Sequence, residues 1–286
     1  MRRVALSLLA GMAVWVAVPS PSSRVAAQIQ PAEAFSTEDA MGHVRRLAGG
    51  IGPRPAGSAA YRRAMQYVRT EFDGLGYDTS IQGFRLPQGG RSWNVVALPA
   101  DQDEVHLLLG AHLDTVRGSP GGNDNASGVA VLLELARILA PAPVPGLALV
   151  AFGAEEFQPV GGHHIGSAAY VHRMSPSERD ALEVMVSADM VGKARPFIAA
   201  HLRGTAVAGA RELARAVRAS GSRASVRTLG DISDHGPFAL AGMRAAFLWT
   251  GDEPNHHRPT DAVKNVAPRA LRRSGEALLA LIDRVL

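Results

Sequence analysis

Not one of the 286 residues is a cysteine. That absence removes disulfides and thiolate ligands together, so any metal centre in this chain has to be built from histidine and carboxylate. Long apolar runs are nearly as scarce. The run from Val4 to Val18 has fifteen residues, short of the roughly 20 that a membrane-spanning helix needs. Arg2 and Arg3 precede it, Pro19 to Ser23 follow it, and Val25-Ala26-Ala27 supplies small residues at a cleavage site. This is the layout of an export signal, with cleavage expected after Ala27. Residues 1–27 are therefore assigned to a signal peptide and residues 28–286 to a single domain, expected to be secreted or periplasmic with no stable membrane insertion once the signal is removed. Excess positive charge is missing as well. The formal net charge of +4 falls to +1 without Arg2, Arg3 and Arg24, so nucleic acid is not an implied partner. Nothing in the sequence sets an oligomeric state.

What is present is one domain's worth of alternating strand and helix signals, with no internal repeat. Ser36-Thr37-Glu38-Asp39 offers a helix start ahead of Met41, Val44 and Leu47, and a second helix is expected from Ser58 to Leu75. Strand-like runs follow at Tyr77–Leu86 and Trp93–Leu98. From Val105 the pattern alternates: strand to Gly110, helix Ala126–Leu139, strand Leu147–Phe152, helix Ile165–Arg173, strand Leu182–Ser187. A helix from Gly204 to Ser220, a buried strand from Ala245 to Thr250 and a closing helix from Ala267 to Leu286 complete the reading. Such alternation predicts a three-layer α/β/α fold around a mostly parallel central sheet.

Acidic and histidine residues cluster just past the ends of those strands, the edge where open α/β sheets bind ligands. His112 and Asp114 follow the first of the alternating strands, Glu155 and Glu156 the second, Asp189 the third and His257 the last. Two zinc ions need nitrogen and oxygen ligands, and one carboxylate between them holds such a pair about 3.5–4 Å apart. Asp124, in the turn Gly122-Asn123-Asp124-Asn125-Ala126-Ser127-Gly128, is the candidate bridge. Asp114 is better placed to orient the His112 imidazole than to bind metal. Of the adjacent acids Glu155 and Glu156, one is expected to bind metal while the other takes a proton from water.

The segments Ala111-His112-Leu113-Asp114-Thr115, Asn123 to Gly128, Gly153-Ala154-Glu155-Glu156, Ser187-Ala188-Asp189-Met190 and His257-Arg258-Pro259-Thr260-Asp261 resemble the co-catalytic dizinc aminopeptidases, metallopeptidase family twenty-eight, in their short secreted bacterial form. Gly52 to Ser58 and Ser233 to Phe238 resemble further stretches of that family. The resemblance implies a zinc exopeptidase that removes N-terminal residues from peptides and holds two divalent ions, zinc first among them. Carried over by position, His112 and Asp189 would complete one metal, Glu156 and His257 the other, with Asp124 between them and Glu155 as general base. Two positions depart from the family. Ile232 stands where several relatives carry Arg, and His256 where several carry Tyr beside the last ligand. His256 is therefore a candidate donor to the oxyanion of the transition state.

The dizinc carboxypeptidases and deacylases share an HxD segment and a Glu-Glu pair, but they place the bridging Asp much further from the first His and carry an extra domain. Here the gap from His112 to Asp124 is 12 residues. Glutaminyl cyclases share the fold with a single zinc. A binding domain that had lost its chemistry would be expected to lose ligands or the base. His163 and His164 are expected in an exposed loop, His235 near the site or in a simple turn, and His43, His106, His172 and His201 in ordinary positions.

Overall fold

The computed structural model describes residues 35–102, 104–156 and 164–286; the expected signal peptide lies outside them. Ser36 caps helix α1 (Thr37–Val44), its hydroxyl accepting from the Asp39 amide at 3.1 Å. Ser58 does the same for α2 (Ala59–Gly74) through the Tyr61 amide at 3.0 Å. The remaining elements are β1 (Asp78–Arg85), β2 (Arg91–Leu98), β3 (Leu107–His112), α3 (Ser127–Leu139), β4 (Leu147–Phe152), α4 (Ile165–Arg173), α5 (Pro176–Ala181), β5 (Val184–Ala188), β6 (Phe197–Leu202), α6 (Ala208–Ala219), β7 (Ala224–Leu229), α7 (His235–Leu240), β8 (Ala245–Trp249) and α8 (Pro268–Val285). No helix among the described residues is long and apolar enough to cross a membrane.

The strands form one sheet in the order β1-β2-β4-β3-β5-β8-β6-β7. Its centre, β4-β3-β5-β8, is parallel throughout. Toward the edges β1 and β2 pair antiparallel, as do β2 with β4 and β6 with β8, while β6 and β7 are parallel. The expected α/β/α architecture is borne out, and alternation of side chains along each strand explains its layers. Leu107, Leu109 and Ala111 of β3 enter a core shared with α1, α2, α3, α6 and α8. Leu108 enters the other core, with Val150, Met185 and residues of α4 and α7. Covered on both faces, the central strands are buried along their whole length.

Several boundaries differ from the sequence reading. β3 starts at Leu107 rather than Val105 and runs on to His112, so this histidine belongs to the strand itself. α6 begins at Ala208 rather than Gly204, because Gly204 has a φ of 83°, which no right-handed helix accommodates. Strands β6 and β7 and helices α5 and α7 were not anticipated. β6 follows β5 with no helix between them, outside the alternating template, and β7 is a largely exposed edge strand without an apolar run.

Candidate metal centre

Because the four central strands are parallel, their carboxyl ends open on one edge of the sheet. His112 ends β3, Glu155 and Glu156 follow β4, Asp189 follows β5, and His256 and His257 lie in the loop after β8. Asp124 arrives from the turn before α3. All eight side chains expected at the site are brought together there. His112 Nε2 lies 3.0 Å from Asp124 Oδ1 and 3.3 Å from Asp189 Oδ1. Across the site, His257 Nε2 lies 2.9 Å from Glu156 Oε1 and 3.3 Å from Asp124 Oδ2. His256 Nε2 is also 3.3 Å from Asp124 Oδ2, so its ring faces the crevice although the residue is half-exposed.

Asp114 meets His112 differently from expectation. Its backbone carbonyl lies 3.2 Å from His112 Nδ1, whereas its carboxylate oxygen is 3.8 Å away. The carboxylate instead accepts from the amides of Glu155 and Glu156, at 3.0 and 3.1 Å, and so fixes the backbone of that pair. Asp189 Oδ2 accepts from the Ser233 hydroxyl at 2.9 Å, which in turn meets Ser187 Oγ at 2.9 Å.

The Asp124 turn is secured from across the fold. Asp261, four residues beyond His257, accepts from the amides of Asn123 at 2.8 Å and Asp124 at 3.0 Å. The Asp124–Asn125 peptide is cis. Beneath it lies Arg54, fully buried, whose guanidinium donates to the carbonyls of Leu113 at 2.6 Å, Pro120 at 2.7 Å and Gly121 at 3.2 Å. Burial pulls Arg54 down to about 10, against the charges of Asp114, Asp124 and Asp261. Arg54 and Asp261 both lie in the family-like segments, but the sequence alone assigns neither a role, since what they hold is distant along the chain.

One expectation is overturned. His164 is not an exposed loop residue but is 2% exposed, and it contacts Glu155. No local sequence signal marks it, and the expectation for His163 lies outside the described residues. His235 is buried and stacks on Phe247, with burial pulling its imidazole down to about 4. Ala154, His164, Met190 and His257 all adopt φ between 51° and 59°. Left-handed conformations of non-glycine residues are strained and gather at functional sites; each of these adjoins the crevice.

The charge pattern fits a bound cation. Burial works to raise the Asp124 carboxyl, yet His112, His256 and His257 hold it well below the usual range. Burial and the charges of Asp124 and Glu155 push Glu156 well above it, and burial also raises Asp189. So many buried acids in one place need positive charge. Among the described residues, His112 Nε2 and Asp189 Oδ1 are buried without a hydrogen-bond partner, the state expected of atoms that hold a metal. Asp124 with His256 and His257, and Asp124 with His112 and Glu156, each place ligand atoms within 4.8 Å of one another. Asp124 is common to both groups. Beside them opens a cavity of about 330 Å³, with Met190, Ile232, Phe247 and Trp249 as its apolar wall.

Comparison with known proteins defines the class. The model of peptidase family M28 matches residues 94–282, and the chain belongs to that family. Over 206 residues it is 33% identical to an aminopeptidase of Bacillus subtilis, covering 67% of this chain and 44% of that protein. It is 27% identical over 303 residues to leupeptin-inactivating enzyme 1 of Streptomyces exfoliatus, covering 96% of this chain and 67% of the relative. This chain thus spans less than half the length of the Bacillus relative. Among solved structures, a zinc aminopeptidase from Bacillus subtilis superposes with a TM-score of 0.78 at 20% identity, covering 87% of this chain and 94% of that one. An aminopeptidase from Aneurinibacillus reaches 0.79 at 19% identity, over 88% and 94%. At such identities the likeness is one of fold.

Proposed function

We propose that this chain is an exported zinc-dependent aminopeptidase that releases N-terminal residues from peptides. The observation that carries this reading is the placement of Asp124, with Oδ1 on His112 and Oδ2 on His256 and His257. A carboxylate with histidines on both of its oxygens is suited to lie between two ions. In this reading His112 and Asp189 would hold one ion and Glu156 and His257 the other. When bound, the pair would supply Lewis acidity to the scissile carbonyl and make water a stronger acid.

The chain's own groups do the rest. Glu155 takes a proton from the attacking water and passes it to the leaving amine as the C–N bond breaks. Asp114 holds the amides of Glu155 and Glu156, so the two carboxylates diverge from a fixed backbone. His256 is positioned to donate to the oxygen on which negative charge develops. The surrounding acids favour a substrate's α-ammonium, which supports cleavage at the N-terminal end, as do the names of the relatives.

Three measurements test the reading. Elemental analysis of loaded protein is expected to give two ions per chain, and a ceiling of one would remove Asp124 from its bridging role. Acetylating the substrate's N-terminus is expected to abolish cleavage while amidating its C-terminus is not; a carboxypeptidase gives the opposite pattern. For export, the secreted protein is expected to begin at Gln28, and a mature N-terminus at Met1 would refute the signal assignment.

A further inference from the structure

Outside the expected site, His164 closes on Glu155 and Asp231 closes on His164. His164 Nδ1 lies 2.9 Å from Glu155 Oε1, and His164 Nε2 lies 3.3 Å from Asp231 Oδ1. The imidazole is almost fully buried between the two carboxylates, on the wall of the substrate cavity.

Three features build this arrangement. The backbone is bent to it: His164 has a φ of 56°, its amide donates to the Glu155 carbonyl at 3.2 Å, and the Ile165 amide donates to the Ala154 carbonyl at 3.1 Å. Together these fold the start of α4 back over the glutamate pair. Room is made for it, because a Cβ at Gly236 would lie 1.7 Å from Asp231 Oδ1. Asp231 therefore takes up its place only because residue 236 has no side chain. Charge favours it too. Burial by itself would lower the imidazole's basicity, but Asp231 and Glu155 outweigh it and raise His164 to about 11.

We propose that His164, held in turn by Asp231, is a positioning residue for Glu155: it occupies Oε1 and leaves Oε2 to meet the water. A carboxylate at the end of a flexible side chain has several rotamers, and fixing one oxygen selects the rotamer in which the other is correctly aimed. The inference rests on Glu155 being the general base.

The alternative is that His164 merely braces the start of α4, and substitutions at the strained backbone separate the two. His164→Gly relaxes the left-handed conformation and removes the imidazole, whereas His164→Asn keeps a donor near the place of Nδ1 in a residue type that tolerates that conformation. Turnover of an aminoacyl p-nitroanilide is measured on each variant together with metal content. His164→Gly is expected to lower kcat about 10–10²-fold with KM and metal content unchanged, and His164→Asn to recover part of the loss. Asp231→Asn and Gly236→Ala are each expected to lower kcat less, with neither adding to the effect of His164→Gly. A brace predicts full activity in the relaxed glycine variant. Wild-type kcat in His164→Gly would overturn the proposal, and so would a loss of kcat that tracks a loss of metal. Glu155→Gln tells the two failures apart. If Glu155→Gln keeps its turnover, the base assignment itself is wrong; if it is inactive while His164→Gly is fully active, only the role of His164 falls.

Discussion

Glu155 and Glu156 are neighbours on the chain with opposite surroundings. Glu156 touches His257, while burial and nearby acids raise its carboxyl; burial acts on Glu155 as well, but His112 and His164 hold it low. Glu155→Gln is expected to lower turnover by about 10²-fold or more with metal retained, the scale of losing a general base. Glu156→Gln is expected to lose metal instead, and reversed phenotypes would shift the assignment by one residue. At His256, replacement by Ala is expected to lower turnover about 10–10³-fold while both ions stay, and His256→Tyr to restore part of it. Its 3.3 Å approach to Asp124 Oδ2 gives that experiment a second edge, since a fall in metal content would make His256 a ligand rather than a donor. Most of these residues were legible in the sequence because each stands beside a strand end or a turn, where type and spacing can be read locally. His164 was not, because its contacts with Glu155 and Asp231 are made in three dimensions and leave no mark in local type or spacing.

At the scale of elements, the segment from His257 to Asp261 serves two ends at once. It brings His257 to Glu156, and through Asp261 it clamps the amides of Asn123 and Asp124. Asp261→Asn would place an NH2 group against one of those amides, donor against donor. Metal affinity is therefore expected to fall about 10–100-fold, the range for groups that orient ligands, with Glu155 and its contacts intact; titration with a competing chelator reads it directly. The central strands and long helices were legible because hydrophobic period and capping residues agree there, as at Ser36 and Ser58. β7 was not, because a mostly exposed edge strand has no apolar pattern to reveal it, and Arg54 was not, because its partners are carbonyls, which every residue has.

For the whole molecule, acid should be destabilising through groups far from the crevice. Burial pulls His43, which meets Tyr67 Oη at 2.5 Å, down to about 4. An unfolded histidine titrates near 6.5, so between those values the unfolded chain binds more protons and stability rises with pH. The contribution is complete above about 6.5 and is lost as pH falls toward 4, at most about 3 kcal/mol. Urea unfolding of metal-loaded protein at pH 7 and pH 5 is expected to show a smaller drop in His43→Gln than in the wild type, by about 1–2 kcal/mol; equal drops would clear His43. The placement of the crevice over β4-β3-β5-β8 carries a last consequence. These strands are flanked on both sides, by β1 and β2 and by β6 and β7, so fraying that starts at either open edge must cross paired strands before it moves a ligand. Backbone amides of β7 should trade their hydrogens with solvent long before those of β3 and β5, and a molecule already loosened at its margin would still hold its chemistry in register.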